Sequence, residues 1–142
     1  NNCWERLLNL AEVKEDQARG EVVKAKEQVS MVRQRLDHLQ GIREEYQSRL
    51  KEMEGTHHSI DNNLLYRKFI NQVTSLEERL FRDLDASMAW VKNMNVKYKA
   101  AQRETAKYDF LQTQSEKKLN SLMQRKERNE MDNLAIVLHN YR

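Results

Sequence analysis

The chain of 142 residues contains no proline, three glycines and one cysteine. An average composition would supply about 7 prolines and about 10 glycines at this length. These residues break helices and form turns, so their scarcity excludes folds built from many short elements. The lone Cys3 has no partner for an internal disulfide bond, which is compatible with a reducing compartment.

Long apolar runs are also missing. The longest run covers residues 134–138, whereas a transmembrane helix needs about 18 residues. Charged residues make up 33% of the chain and the mean hydropathy is −0.95, which is apolar-poor for a compact globule. A helical coiled coil needs only a narrow apolar seam, and the composition suits one. The first residues do not resemble a signal peptide, so we expect a cytoplasmic protein.

What the sequence does contain is a repeat of apolar residues at alternating steps of four and three, the coiled-coil period. In the first half it begins at Trp4 and reaches Leu39; in the second it runs from Ile70 to Tyr108. After Leu39 the next apolar residue is Ile42 and Gly41 lies between them, which predicts that the seam shifts phase there.

One stretch clusters turn residues. Gly55 suits the end of a helix, and Ser59, Asp61 and Asn62 suit the start of the next. The sequence therefore predicts an all-α fold: two long helices, about 3–54 and 62–139, joined by a turn at about 55–61 in one antiparallel coiled-coil hairpin domain over 1–142. The second helix is longer, so about 25 residues at its end lack a partner in the chain, and isolated helices are marginal in water.

Catalytic and cofactor motifs are lacking. The pair His57–His58 in the turn has too few further ligands for a zinc site, and the chain has no phosphate loop or nucleophile elbow. We therefore predict a protein that is not an enzyme and uses no metal or cofactor.

The stretch 117–128 is basic but interrupted by Glu116, Glu127 and Glu130. Nucleic-acid-binding arms are usually denser in positive charge, and the net charge of the chain is only 25 − 22 = +3. A solvated helix face or a docking surface for an acidic protein groove is favoured, and we expect no nucleic acid partner.

Aromatic residues flank the turn. Tyr46 precedes it and Phe69 follows it, and pairing residue i with about 117 − i places the two at one height of the hairpin. Both could lie in the core. The apolar residues near Phe69 spread over more than one helix face, however, which favours an exposed binding patch.

Four motifs resemble those of one family. They are Leu7-Leu8-Asn9-Leu10-Ala11-Glu12, similar to L-x-x-L-A-E; Glu45-Tyr46-Gln47-Ser48-Arg49-Leu50, similar to E-Y-x-x-x-L; Tyr66-Arg67-Lys68-Phe69-Ile70, similar to Y-x-x-F-I; and Arg125-Lys126-Glu127-Arg128-Asn129-Glu130-Met131-Asp132, similar to R-x-E-(Q)-K-x-x-D. In order and spacing they resemble the FliJ family, coiled-coil proteins of the bacterial flagellar type III export apparatus. Arg128-Asn129 and Asn133-Leu134 depart from the family pattern of Gln-Lys and Glu-Phe.

This resemblance implies a stalk that binds the hexameric export ATPase and the cytoplasmic domain of the membrane export gate. It also implies that the protein escorts export chaperones, promotes flagellar assembly and meets the inner membrane only peripherally, through its partners. By motif, the expected gate-binding residues are Tyr46, Phe69, Leu39, Ile42, Val73 and Leu76. The expected contacts to the ATPase ring are Leu7, Leu8, Arg125, Glu127, Arg128 and Asp132.

Three other interpretations remain open on the sequence: the equivalent stalk of a virulence type III secretion system, a scaffolding coiled coil without an ATPase link, and a basic nucleic-acid-binding hairpin. The second would self-associate through the unpaired end of the longer helix. The third would bind in a strongly salt-dependent way.

Overall fold

Two helices account for the residues that the structure describes. The structure, a computed structural model, describes residues 2–54 and 60–141. Helix α1 spans Asn2–Glu54 and helix α2 spans Ile60–Asn140, with no strand in the described residues. The prediction of an all-α antiparallel hairpin is confirmed. Gly55, His57, His58 and Ser59 lie outside the described residues, and with them most of the predicted turn.

The helix ends differ slightly from the prediction. Helix α2 begins at Ile60, so Asp61 and Asn62 lie inside its first turn rather than before it. Asp61 still suits this place, because a carboxylate near a helix N-terminus interacts favourably with the helix dipole. At the other end the Tyr141 amide donates to the Val137 carbonyl at 3.2 Å and closes the last turn.

The described chain packs as two units, of which the first comprises Asn1–Ala18 and Tyr98–Arg142. Within it the ring of Trp4 lies 6.4 Å from that of Tyr108, while Ala11 shares a cavity with Ala101, so the two segments run antiparallel. From residue 116 to residue 141 every side chain of this unit is exposed. The predicted unpaired end of α2 is therefore present as a helix with no buried side chain.

The second unit comprises Arg19–Lys97. Arg43 contacts Glu77, whereas Tyr46, later in α1, contacts Phe69, earlier in α2, so these segments are antiparallel too. Most of the buried apolar side chains belong to this unit: Val22, Ala25, Val32, Leu36, Val73 and Met94. The single hairpin domain over 1–142 stays a prediction.

The heptad pattern of α1 does not shift phase after Leu39. Positions seven apart remain buried or half-buried along the helix, including Leu36, Arg43 and Leu50 in one series and Val32, Leu39 and Tyr46 in the other. The predicted shift is wrong because Arg43, not Ile42, continues the regular spacing. Gly41 is an ordinary helical residue, and a Cβ there would meet nothing within 4 Å.

Arg43 can occupy a position of the seam because it pairs with a residue of opposite charge. Its Nε donates to Oε1 of Glu77 at 2.6 Å, and Glu77 is only 5% exposed. Buried ion pairs add little net stability compared with apolar residues, but loss of one partner is costly. Such pairs can instead fix the alignment of two helices, since other registers leave a charge buried without its partner.

We expect Gly41→Ala to raise the free energy of unfolding by about 1 kcal/mol, because alanine is the better helix former and the site is open. Gly20→Ala, at an equally open position, is the matched comparison and should give a similar gain. Denaturant unfolding followed by circular dichroism at 222 nm measures both. A lower free energy of unfolding for Gly41→Ala would contradict the open environment at this position.

We expect Glu77→Ala to lower the free energy of unfolding by about 2–3 kcal/mol, since it leaves Arg43 without its partner in the seam. The double variant Arg43→Leu with Glu77→Leu should recover most of that loss, because the seam becomes apolar. Glu78→Ala removes an exposed carboxylate next in the chain and serves as the control. Equal destabilisation by Glu77→Ala and Glu78→Ala would refute the role of the pair.

Candidate protein-binding surfaces

The first candidate surface is an aromatic patch formed by Tyr46, Tyr66 and Phe69. The ring of Tyr46 lies 4.5 Å from that of Phe69 and 5.4 Å from that of Tyr66, measured between centroids. Tilted aromatic pairs at such distances contribute beyond simple burial. Two residues of α2, one helical turn apart, thus hold one aromatic residue of α1.

The patch is only partly covered. Tyr46 and Tyr66 are half-buried, and Phe69 is 37% exposed. Beside them lies an open groove of about 420 Å³, lined by Tyr46, Leu65, Tyr66, Lys68, Phe69 and Gln72. Leu65 on its rim is 63% exposed. The aromatic rings therefore serve two purposes at once: they pack across the seam between α1 and α2, and they present an apolar surface to water.

Positive charge borders the patch. The guanidinium of Arg49 lies 5.4 Å from the ring centroid of Tyr46 and forms an ion pair with Glu45 at 2.6 Å. A hydrogen bond with Tyr66, followed by the charge of Glu45, raises the pKa of Arg49 above its ordinary value. Lys68 lines the same groove. An apolar partner segment that carries a carboxylate would fit this combination.

The six residues predicted for this surface are not equivalent. Tyr46 and Phe69 meet, Leu39 and Ile42 are half-buried on α1, and Leu76 is exposed. Val73 is 3% exposed and belongs to the seam, so it supports the surface from below without presenting a side chain.

Sequence reasoning left out Leu65, Tyr66 and Lys68 as binding residues. Leu65 and Tyr66 lie four and three positions before Phe69, so helical spacing alone could have placed them on its side of α2. Lys68 is adjacent to Phe69 in the chain, and that spacing does not select it.

The second candidate surface belongs to the unit of residues 1–18 and 98–142. Leu7 and Leu8 are half-buried, and Leu7 lines a cavity of about 300 Å³ with Ala100 and Tyr108. Nearby, Lys107 lies 4.7 Å from the ring centroid of Tyr108. Its pKa is raised, first by a hydrogen bond from its ammonium group to Glu104.

The remaining residues predicted for this surface lie further along α2. Arg125, Glu127, Arg128 and Asp132 are all exposed. At about 1.5 Å per residue they are roughly 15–25 Å beyond Ser115, the last half-buried residue of α2, so they do not form one site with Leu7 and Leu8. Arg125, Arg128 and Asp132 share one helix face by their spacing of three and four, and Glu127 lies on another.

Neither helix holds a stretch, within residues 2–54 and 60–141, that is long and apolar enough to cross a membrane. In the same residues no three histidine, cysteine or carboxylate side chains come together in a group that could hold a metal ion. His57 and His58, which have too few further ligands for a zinc site in the sequence, lie outside the described residues.

Comparison with known proteins gives one match. Residues 4–142 match the family described as "Flagellar FliJ protein", while no curated protein and no solved structure matches the chain. The match covers nearly the whole chain, including both helices and both candidate surfaces. The chain therefore belongs to the flagellar FliJ protein family and is a component of flagellar protein export by type III secretion.

Proposed function

We propose that this protein is the coiled-coil stalk of a flagellar export apparatus: it binds the hexameric export ATPase and the cytoplasmic domain of the membrane export gate, and it escorts export chaperones. The observation that carries the proposal is the half-exposed aromatic patch. It stands where the E-Y and Y-x-x-F-I motifs of the matched family lie in this chain. The family match favours the flagellar stalk over its virulence counterpart.

The gate-binding role rests on the chemistry of the patch. Phe69 and Leu65 are exposed beside each other and beside the ring of Tyr46, and such grouping of exposed apolar side chains is typical of protein-binding surfaces. The groove beside them is large enough to take an apolar side chain, and Arg49 and Lys68 can meet a carboxylate. A segment of the export gate with these two features is the occupant we propose.

The ATPase-binding role rests on the far part of α2. Arg125, Arg128 and Asp132 form a mixed-charge face on residues 116–141 of α2, where no side chain is buried, and such a face suits a partner with complementary charges. The side chains proposed for the ring are different from those of the aromatic patch, so the two roles do not compete for the same residues. Peripheral placement at the inner membrane follows from binding the gate, and escort of chaperones is carried over from the family resemblance. The chain itself is proposed to have no enzymatic activity.

We expect Tyr46→Ala combined with Phe69→Ala to abolish binding to the export gate and motility, because the variant removes both contacting rings of the patch. Binding to the purified cytoplasmic domain of the gate is measured by calorimetry, and helicity by circular dichroism. Phe81→Ala, an exposed phenylalanine outside the patch, is the matched control and should bind normally. Intact gate binding by the double variant would refute the assignment; loss of helicity would identify the rings as core, so Phe69→Ala alone is measured as well.

We expect deletion of residues 119–142 to abolish stimulation of the export ATPase while gate binding is kept. Arg125→Ala with Arg128→Ala should reduce the stimulation at least about fivefold, since charge-assisted contacts are lost without removing the helix. Lys117→Ala, also exposed, is the control. Hydrolysis rate and hexamer formation are measured together. Unchanged stimulation by the truncated chain would contradict the proposed contact and favour a scaffolding coiled coil.

A further inference from the structure

The exposed end of α2 carries an ordered stripe of side chains. Residues 116–141 are all exposed, and many of the apolar side chains among them are large. One set recurs at steps of three and four and so lies on a single face; we call it the terminal stripe: Leu119, Leu122, Lys126, Glu130, Leu134, Val137 and Tyr141. Its apolar residues stand at the two ends, and its charges stand in the middle.

The terminal stripe continues an interface that already exists in the same unit. Tyr108, Gln112 and Ser115 are half-buried positions of the seam with α1, and the same spacing leads on to Leu119 and Leu122. Leu119, Leu122 and the later described residues up to 141 are all exposed. Apolar side chains at coiled-coil spacing, on a helix that is marginal alone, call for a second helix.

The charges of the terminal stripe specify which helix fits. In an antiparallel pair of two such segments, centred near residue 128, Lys126 lies opposite Glu130 of the second copy. The two-fold axis then repeats this ion pair. In the same register Leu122 lies opposite Leu134 and Leu119 opposite Val137 of the second copy. A parallel pair in register would place Lys126 against Lys126 and Glu130 against Glu130, which repel each other.

From this self-complementarity we propose that a second copy of this chain docks on the terminal stripe, so that two α2 ends form an antiparallel helix pair. Arg125, Arg128 and Asp132 lie on the opposite side of the helix by their spacing. Self-association through the terminal stripe therefore does not depend on the export partners, and its failure would leave the proposed stalk function untouched.

A charge exchange tests the pairing on the full chain. Sedimentation equilibrium from about 1 to about 200 μM should show the mass rising from 17.0 kDa towards twice that value. Lys126→Glu and Glu130→Lys should each raise the dissociation constant about tenfold, because each turns two attractive pairs into repulsive ones. The double variant Lys126→Glu with Glu130→Lys restores opposite charges and should return close to the original value.

Lys117→Glu makes the same charge change on the other side of the helix and should have no effect. The proposal is overturned if the unmodified chain stays at one copy throughout, if the double variant is no better than the single ones, or if Lys117→Glu weakens association equally.

The direction of the pair has its own test. In a Cys3→Ser background, Leu122→Cys with Leu134→Cys should form disulfide-linked dimers on mild oxidation, since the two positions face each other only across an antiparallel pair. Efficient crosslinking by Leu122→Cys alone would indicate a parallel pair and contradict the proposal.

Discussion

Two facing helices can remove only a narrow line of side chains from water, and this constraint governs the rest of the molecule. Two positions in each heptad enter the seam, and most of the others stay exposed however apolar they are. The buried residues of both units follow that rule, with small Ala11 and Ala25 and larger Leu36 and Met94. Exposed apolar residues are therefore unavoidable here, and it is their grouping that carries functional meaning.

A narrow seam also makes alignment a problem, because one heptad of slip replaces apolar residues by similar apolar residues. The Arg43–Glu77 ion pair limits this freedom: after such a slip each charge would face an apolar side chain and lose its partner. In the same alignment Tyr46, three residues after Arg43 on α1, packs against Tyr66 and Phe69 of α2. The ion pair thus influences binding indirectly. It fixes the register of the two helices, and the aromatic patch forms only in this register.

The fold could be read from the sequence because the coiled-coil period is a repeated signal. The spacing of Trp4, Leu8 and Ala11 defines which face of α1 enters the seam. The matching spacing in α2 is that of Tyr98, Ala101 and Tyr108. The predicted shift after Leu39 failed because hydrophobicity alone selects Ile42 over Arg43. Nothing local reveals that the charge of Arg43 is satisfied, as its partner lies 34 residues away.

Only part of the candidate site could be predicted from the sequence, for a related reason. Motifs single out Tyr46 and Phe69, but whether Val73 faces the seam or the solvent depends on how α1 covers it. Leu65 and Lys68 line the groove beside Tyr46 and Phe69, and this depends on how α1 and α2 pack there, which residue types alone do not specify.

The exposed end of α2 presents the opposite situation, in which the sequence is more informative than the contacts. No described residue between 116 and 141 is buried, so packing says nothing about what this helix meets. Its pattern separates two faces, one with Arg125, Arg128 and Asp132 and one with the terminal stripe. A marginal helix gains stability from any partner that binds only its folded form. Pairing through the terminal stripe would therefore keep the helix formed while its charged face stays accessible, so that binding of a ring need not pay the full cost of ordering the segment.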